Sequence, residues 1–163
     1  MQKEYRHCQC NLVISGAAVI SFGVWNFLKV LMIILFQSED YTIILKSLDM
    51  DEVAYDIFGY VLIGIAFLDV FIRFKVGRAA AAYAKGEKNS RFFIGMGIIF
   101  MIFSVLNLFF SARDISEYTD MLNWAFTQIV EISSFYASME MVKYGKNLKK
   151  WKERLQQGAV YES

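Results

Sequence analysis

Among its 163 residues the chain has no proline, two cysteines and one histidine, and each scarcity removes a class of protein. Both cysteines, Cys8 and Cys10, lie near the N-terminus. A claudin-, connexin- or tetraspanin-like disulfide framework needs cysteines in the outer loops, and a thiol-oxidising membrane enzyme needs cysteine pairs there. A bis-histidine haem bundle needs several histidines inside the membrane, whereas His7 precedes the first apolar run. The lack of proline fits straight helices, because proline breaks or kinks a helix interior. No Walker sequence, zincin motif or Ser-His or Asp-Asp protease signature occurs. Arg73, Lys75 and Arg78 do not keep the every-third-residue spacing of a voltage sensor. Enzymatic function is therefore the weakest reading, and no cofactor is implied.

What the chain has is apolar length. It is 56% hydrophobic and 17% aromatic, more apolar surface than a soluble domain of this size hides. Four runs, Leu12–Phe36, Val53–Phe74, Phe92–Ser111 and Met121–Val142, are each long enough to cross a hydrocarbon core of about 30 Å at about 1.5 Å per residue. The expected fold class is an all-α integral membrane protein, one membrane domain with four transmembrane helices and a cytoplasmic helical tail over 143–157. Lys3 and Arg6 before the first run suggest a signal peptide, but the run exceeds the about 7–15 residues of a signal core and no A-x-A site follows, so it reads as a retained helix.

Charge sets the orientation. Lys3 and Arg6, then Lys75, Arg78, Lys85, Lys88 and Arg91, then Lys143, Lys146, Lys149, Lys150, Lys152 and Arg154 fall on one side. The first and third connections hold only Lys46 and Arg113 beside Glu39, Asp40, Asp49, Asp51, Glu52, Asp114, Glu117 and Asp120. The positive-inside rule then places both termini in the cytoplasm, most simply at the plasma membrane. The net charge of +1 averages two opposite faces. The basic face suits anionic lipid headgroups and calls for no nucleic acid.

The chain also reads as two duplicated helical hairpins. Gly16 and the Gly23-Val24-Trp25-Asn26 segment recur at the same spacing as Gly97 and Ser104-Val105-Leu106-Asn107, and Lys75-Val76-Gly77-Arg78 parallels Lys143-Tyr144-Gly145-Lys146. Helices 2 and 4 are expected to continue beyond the bilayer. Ala79 to Ala82 favour helix, Gly86 stops it, and Asn89 or Ser90 caps the next. In the tail, Tyr144, Leu148, Trp151 and Leu155 form one apolar stripe on a basic helix ending near Gly158. That stripe can pack on the equivalent extension, lie on anionic lipid or dock a membrane or cytoplasmic protein. Uncovered stripes and small-residue faces point to a homo-oligomer, most simply a dimer.

The polar groups within the apolar runs are the candidate site. Glu131 lies near the middle of the fourth run and Lys29 in the outer half of the first, and opposite charges at similar depth suggest an ion pair. Thr127, Glu131, Ser134 and Ser138 share one helix face beside Gln128. Asn107, Ser104 and Ser111 sit on helix 3, and Asn26 and Ser15 on helix 1. Such stripes line a hydrated path or act as interhelical hydrogen-bond glue. Asp69 with Arg73 and Glu140 with Lys143 read as ordinary intrahelical pairs. His7, Cys8 and Cys10 are the only cluster of soft-metal donors, lack a fourth ligand, and read first as incidental thiols at a helix entrance. Two functions remain. One is an oligomeric ion or small-solute transport or channel subunit using Lys29, Glu131, Asn26 and Asn107. The other is a non-catalytic accessory or scaffolding protein that binds a partner through its basic extensions.

Overall fold

In a computed structural model the chain is helical, and the structure describes residues 2–35, 52–87, 91–113 and 121–161, with side chains over 3–35, 57–87, 91–110 and 125–154. Helix α1 spans Gln2–Leu35, α2 Glu52–Lys85, α3 Phe92–Arg113 and α4 Met121–Tyr161. The helices outrun the apolar segments. α1 begins well before Leu12, α2 continues past Phe74, and α4 absorbs the whole tail through Gly158. The flanks are rich in Lys, Gln, Glu and Ala, which sustain helix, and one glycine costs only about 1 kcal/mol.

Gly86 stops α2 as expected. Its φ is +82°, Glu87 N donates to Ala82 O at 3.0 Å and Gly86 N to Tyr83 O at 3.2 Å. These two bonds close the end as a Schellman pair. The expected caps Asn89 and Ser90 fall outside the described residues, and the first turn of α3 shows Ile94 N donating to Arg91 O at 3.0 Å.

Three helices are long and apolar enough to cross a membrane, over Lys3–Leu35, Ile57–Lys85 and Phe92–Phe110. The fourth expected span is not among them. Thr127, Gln128, Glu131, Ser133, Ser134 and Ser138 interrupt α4 and hold its apolarity below that of the others. The large side chains exposed on this stretch are nonetheless apolar or aromatic. Phe126, Ile129, Ile132, Tyr136 and Met139 are exposed along one face, while Ser134 and Ser138 are buried. The exposed face of α4 is thus largely apolar over this stretch, unlike that of a water-soluble helix.

The chain divides into two compact units, residues 1–19 with 75–163, and residues 20–74. In the first, α1 and α2 run antiparallel with Gly16 on Gly77; a Cβ at Gly16 would stand 2.9 Å from the Gly77 carbonyl oxygen. α3 and α4 pack on each other, antiparallel, with Gly97 beneath Met141 and Val142 and Gly145 against the Phe93 ring. Leu12, Val76, Ala80, Tyr83, Phe93 and Leu148 are fully buried, and the Tyr83 and Phe93 rings lie 5.4 Å apart. This core sits at the basic end. Burial of apolar side chains is driven where water is the alternative, whereas in lipid close approach at small residues takes over that role.

In the second unit Gly23 carries the stem of Arg73, whose Cδ would be 2.7 Å from an added Cβ. Phe27 and Phe67 meet edge to face at 6.3 Å. A groove of about 400 Å³ lined by Val30, Ile33, Phe58 and Leu62 has Asn26 and Asp69 as its polar members.

Candidate functional site

The most elaborate polar construction is at the C-terminus of α2. A helix leaves its last carbonyls without intrahelical partners, and here three of them are satisfied. Glu87 N takes Ala82 O, Gly86 N takes Tyr83 O, and Gln9 Nε2 from α1 donates to Ala84 O at 2.7 Å. Lys152 Nζ from α4 adds a second bond to Tyr83 O at 3.1 Å and lies 4.0 Å from the centre of the Tyr83 ring. A cation at a helix C-terminus and over an aromatic face is favourable on both counts. Burial, and secondarily the neighbouring Arg91 charge, hold the Lys152 ammonium below the usual lysine range. The lock joins α1, α2 and α4.

Most of the other described cations of this unit are exposed. Lys143, Lys146, Lys150 and Arg154 are exposed and recur on one face of α4, opposite the face that buries Met141, Gly145 and Leu148. Lys3, Arg6, Lys75, Arg78, Lys85 and Arg91 are also exposed in the same unit. Glu153 sits 3.9 Å from Arg91 and 3.7 Å from Lys149, exposed pairs of small energetic weight.

The tail stripe is partly spent within the chain. Leu148 is 0% exposed, so it is core and offers nothing to a partner or lipid. Tyr144 is half-buried with its ring edge-on to His7 at 6.3 Å. Trp151 is half-buried with the Arg154 guanidinium 5.5 Å from its ring, and the Leu155 side chain lies outside the described residues.

The intramembrane candidates fall in different units. Asn26 and Lys29 belong to the second, and Asn107, Thr127, Glu131, Ser134 and Ser138 to the first. Lys29 and Asn107 are exposed; Asn26, Thr127 and Glu131 are half-buried; Ser134 and Ser138 are buried. Ser138 Oγ is enclosed with no hydrogen-bond partner among the described residues. Asn107 is exposed one turn beyond buried Ser104. Arg73 Nε pairs with Asp69 at 2.8 Å as its spacing predicts, but Glu140 accepts from Tyr136 OH at 3.1 Å, one turn back. Asp56 and Ser111 have side chains outside the described residues.

At the N-terminus Cys8 is buried and Cys10 exposed, and Asn11 Nδ2 lies 3.0 Å from His7 Nε2. Their positions on one helix turn the three donors to different sides. Among the described residues no group of three or more His, Cys, Asp or Glu side chains is placed to hold a metal.

Sequence reasoning missed Gln9 and Lys152. Gly86 announces that α2 ends, but which distant side chains reach its carbonyls is settled by tertiary packing. Comparisons with protein-family models, with curated proteins and with solved structures gave no match.

Proposed function

We propose that the chain is a non-catalytic membrane module that crosses the bilayer four times and presents its basic end to the cytoplasm, where it anchors a partner. The observation that carries this reading is the basic end itself, where a locked, water-side core holds a field of outward-pointing cations. The fourth crossing is supported by α4 running antiparallel on α3, itself a candidate span, and by an outward face that is apolar from Phe126 to Met139. Ser134 and Ser138 are turned from that face, which suits helix contacts inside. Lys152 returns the tail to the end of α2, which supports an even number of crossings between the two. Orientation rests on the excess of Lys and Arg at that end.

Duplication accompanies this reading. Leu12, Gly16, Val19 and Gly23 are buried in α1, and Phe93, Gly97, Phe100 and Ser104 are buried in α3, each pair at one offset; Arg73, Gly77 and Ala80 match Met141, Gly145 and Leu148 at another. A parallel repeat relates the hairpins by an axis along the membrane normal. Self-association remains part of the proposal through Gly95 on α3, an exposed position with nothing within 4 Å.

One observation favours the transport reading. The unpartnered Ser138 hydroxyl lies on the stripe of Glu131, and an intramembrane carboxylate is by default a functional candidate. Flux measurements on proteoliposomes decide between the two. The module reading expects no flux of common ions and no difference on Glu131→Gln. A flux that vanishes with Glu131→Gln while folding survives replaces it with transport.

A further inference from the structure

The exposed basic face of the α4 tail has two water-side partners to choose between, a lipid surface and a macromolecule. An amphipathic helix lies on a bilayer by inserting its apolar face among the headgroups. In this tail part of that face is already occupied. Gly145 is against Phe93, Leu148 is fully buried, and Lys152 is tied to the Tyr83 carbonyl, so the helix cannot lie down without breaking the core of its own unit. It is therefore held off the surface, and its cations are carried away from the headgroups. Along the helix Lys150 lies about 10 Å and Arg154 about 16 Å beyond Lys143. At physiological ionic strength charges are screened over about 8 Å, so Lys143 and Lys146 can be satisfied by lipid while Lys150 and Arg154 are left for something else.

The chemistry of the face selects the occupant. It is cationic but not of one sign, since Glu153 is exposed beside Lys150 and Arg154. Interspersed charges fix register against another folded or folding chain. A nucleic-acid face would call for exposed aromatic rings for stacking. Here Tyr144 and Trp151 are half-buried, one edge-on to His7 and one beneath Arg154. We infer that the Lys143, Lys146, Lys150 and Arg154 face of the α4 tail docks an acidic segment of a cytoplasmic protein, with Lys150 and Arg154 as its main contacts. The inference rests on the module reading and names the class of its partner.

The test uses the full chain in neutral phosphatidylcholine nanodiscs, with a fluorescein-labelled Glu-rich helical peptide followed by fluorescence anisotropy. Two variants remove the same charge from different places, Lys150→Gln with Arg154→Gln, and Lys75→Gln with Arg78→Gln. All four residues are exposed, and gel filtration with circular dichroism checks that each variant folds. The distal pair is expected to weaken peptide binding about tenfold and the membrane-proximal pair less than about twofold. Adding phosphatidylserine to the discs is expected to leave peptide binding nearly unchanged. Equal losses from both pairs would mean attraction to net charge alone and overturn the site. Loss of peptide binding in phosphatidylserine discs would assign the face to lipid, and tighter binding of a single-stranded oligonucleotide of equal charge would assign it to nucleic acid; either overturns the inference. Absence of peptide binding also overturns it. None of these results bears on how often the chain crosses the membrane, which side-specific labelling reads separately.

Discussion

Gly16→Leu is expected to lower the melting temperature of the detergent-solubilised protein by about 6–12 °C, the equivalent of about 3 kcal/mol. The loss follows from a backbone contact. A Cβ at Gly16 would stand 2.9 Å from the Gly77 carbonyl oxygen and 3.4 Å from the Ala80 Cβ, and a helix backbone cannot swing aside as a flexible side chain can. α1 and α2 would have to separate, and Gln9 would be drawn from the end of α2. Gly64→Ala is the control. Gly64 is helical and exposed with nothing within 4 Å, so alanine there is expected to be neutral or to stabilise by up to about 1 kcal/mol. Equal losses from both substitutions would show that the Gly16 contact does not hold the hairpin together.

Leu148→Asp should be the most damaging single change in the tail, costing about 4 kcal/mol or more, because it buries a carboxylate in an apolar site. Leu148→Ala should cost about 2–5 kcal/mol through the cavity it leaves. Both figures depend on Leu148 being core. A residue on a docking surface would give the opposite pattern, with unchanged melting of the isolated protein and weakened partner binding. Thermal unfolding of the two variants followed by circular dichroism separates these outcomes.

Much of the fold was legible because lipid and water impose coarse, strong rules. Each of the four apolar runs falls on a helix, three of these helices being long and apolar enough to span a membrane, Gly86 marks the end of α2, and Asp69 pairs with Arg73, since each follows from spacing along one helix. What spacing could not supply was the use of a face. Tyr144, Leu148, Trp151 and Leu155 read as one stripe open to any partner, yet Leu148 is fully buried in the chain's own core. Spacing pairs Glu140 with Lys143, whereas the structure has it accept from Tyr136 OH, a contact at the equally allowed i,i+4 spacing. The polar intramembrane residues were found as a list, but Asn107 turns outward while Ser134 and Ser138 turn inward. Lys152, one of six cations in the tail by sequence, is singled out only when α2 ends beneath it.

Four crossings with the basic ends gathered on the cytoplasmic side is the central claim, and side-specific thiol labelling tests it most directly. In a Cys8→Ala, Cys10→Ala background, single cysteines at Ser47, Lys85, Tyr118 and Lys150 are exposed to an impermeant maleimide in intact cells and again after the cytoplasmic face is opened. The account predicts labelling of Ser47→Cys and Tyr118→Cys from outside and of Lys85→Cys and Lys150→Cys only after opening. Labelling of Lys150→Cys from the same side as Tyr118→Cys would contradict it, because α4 would then not return across the membrane.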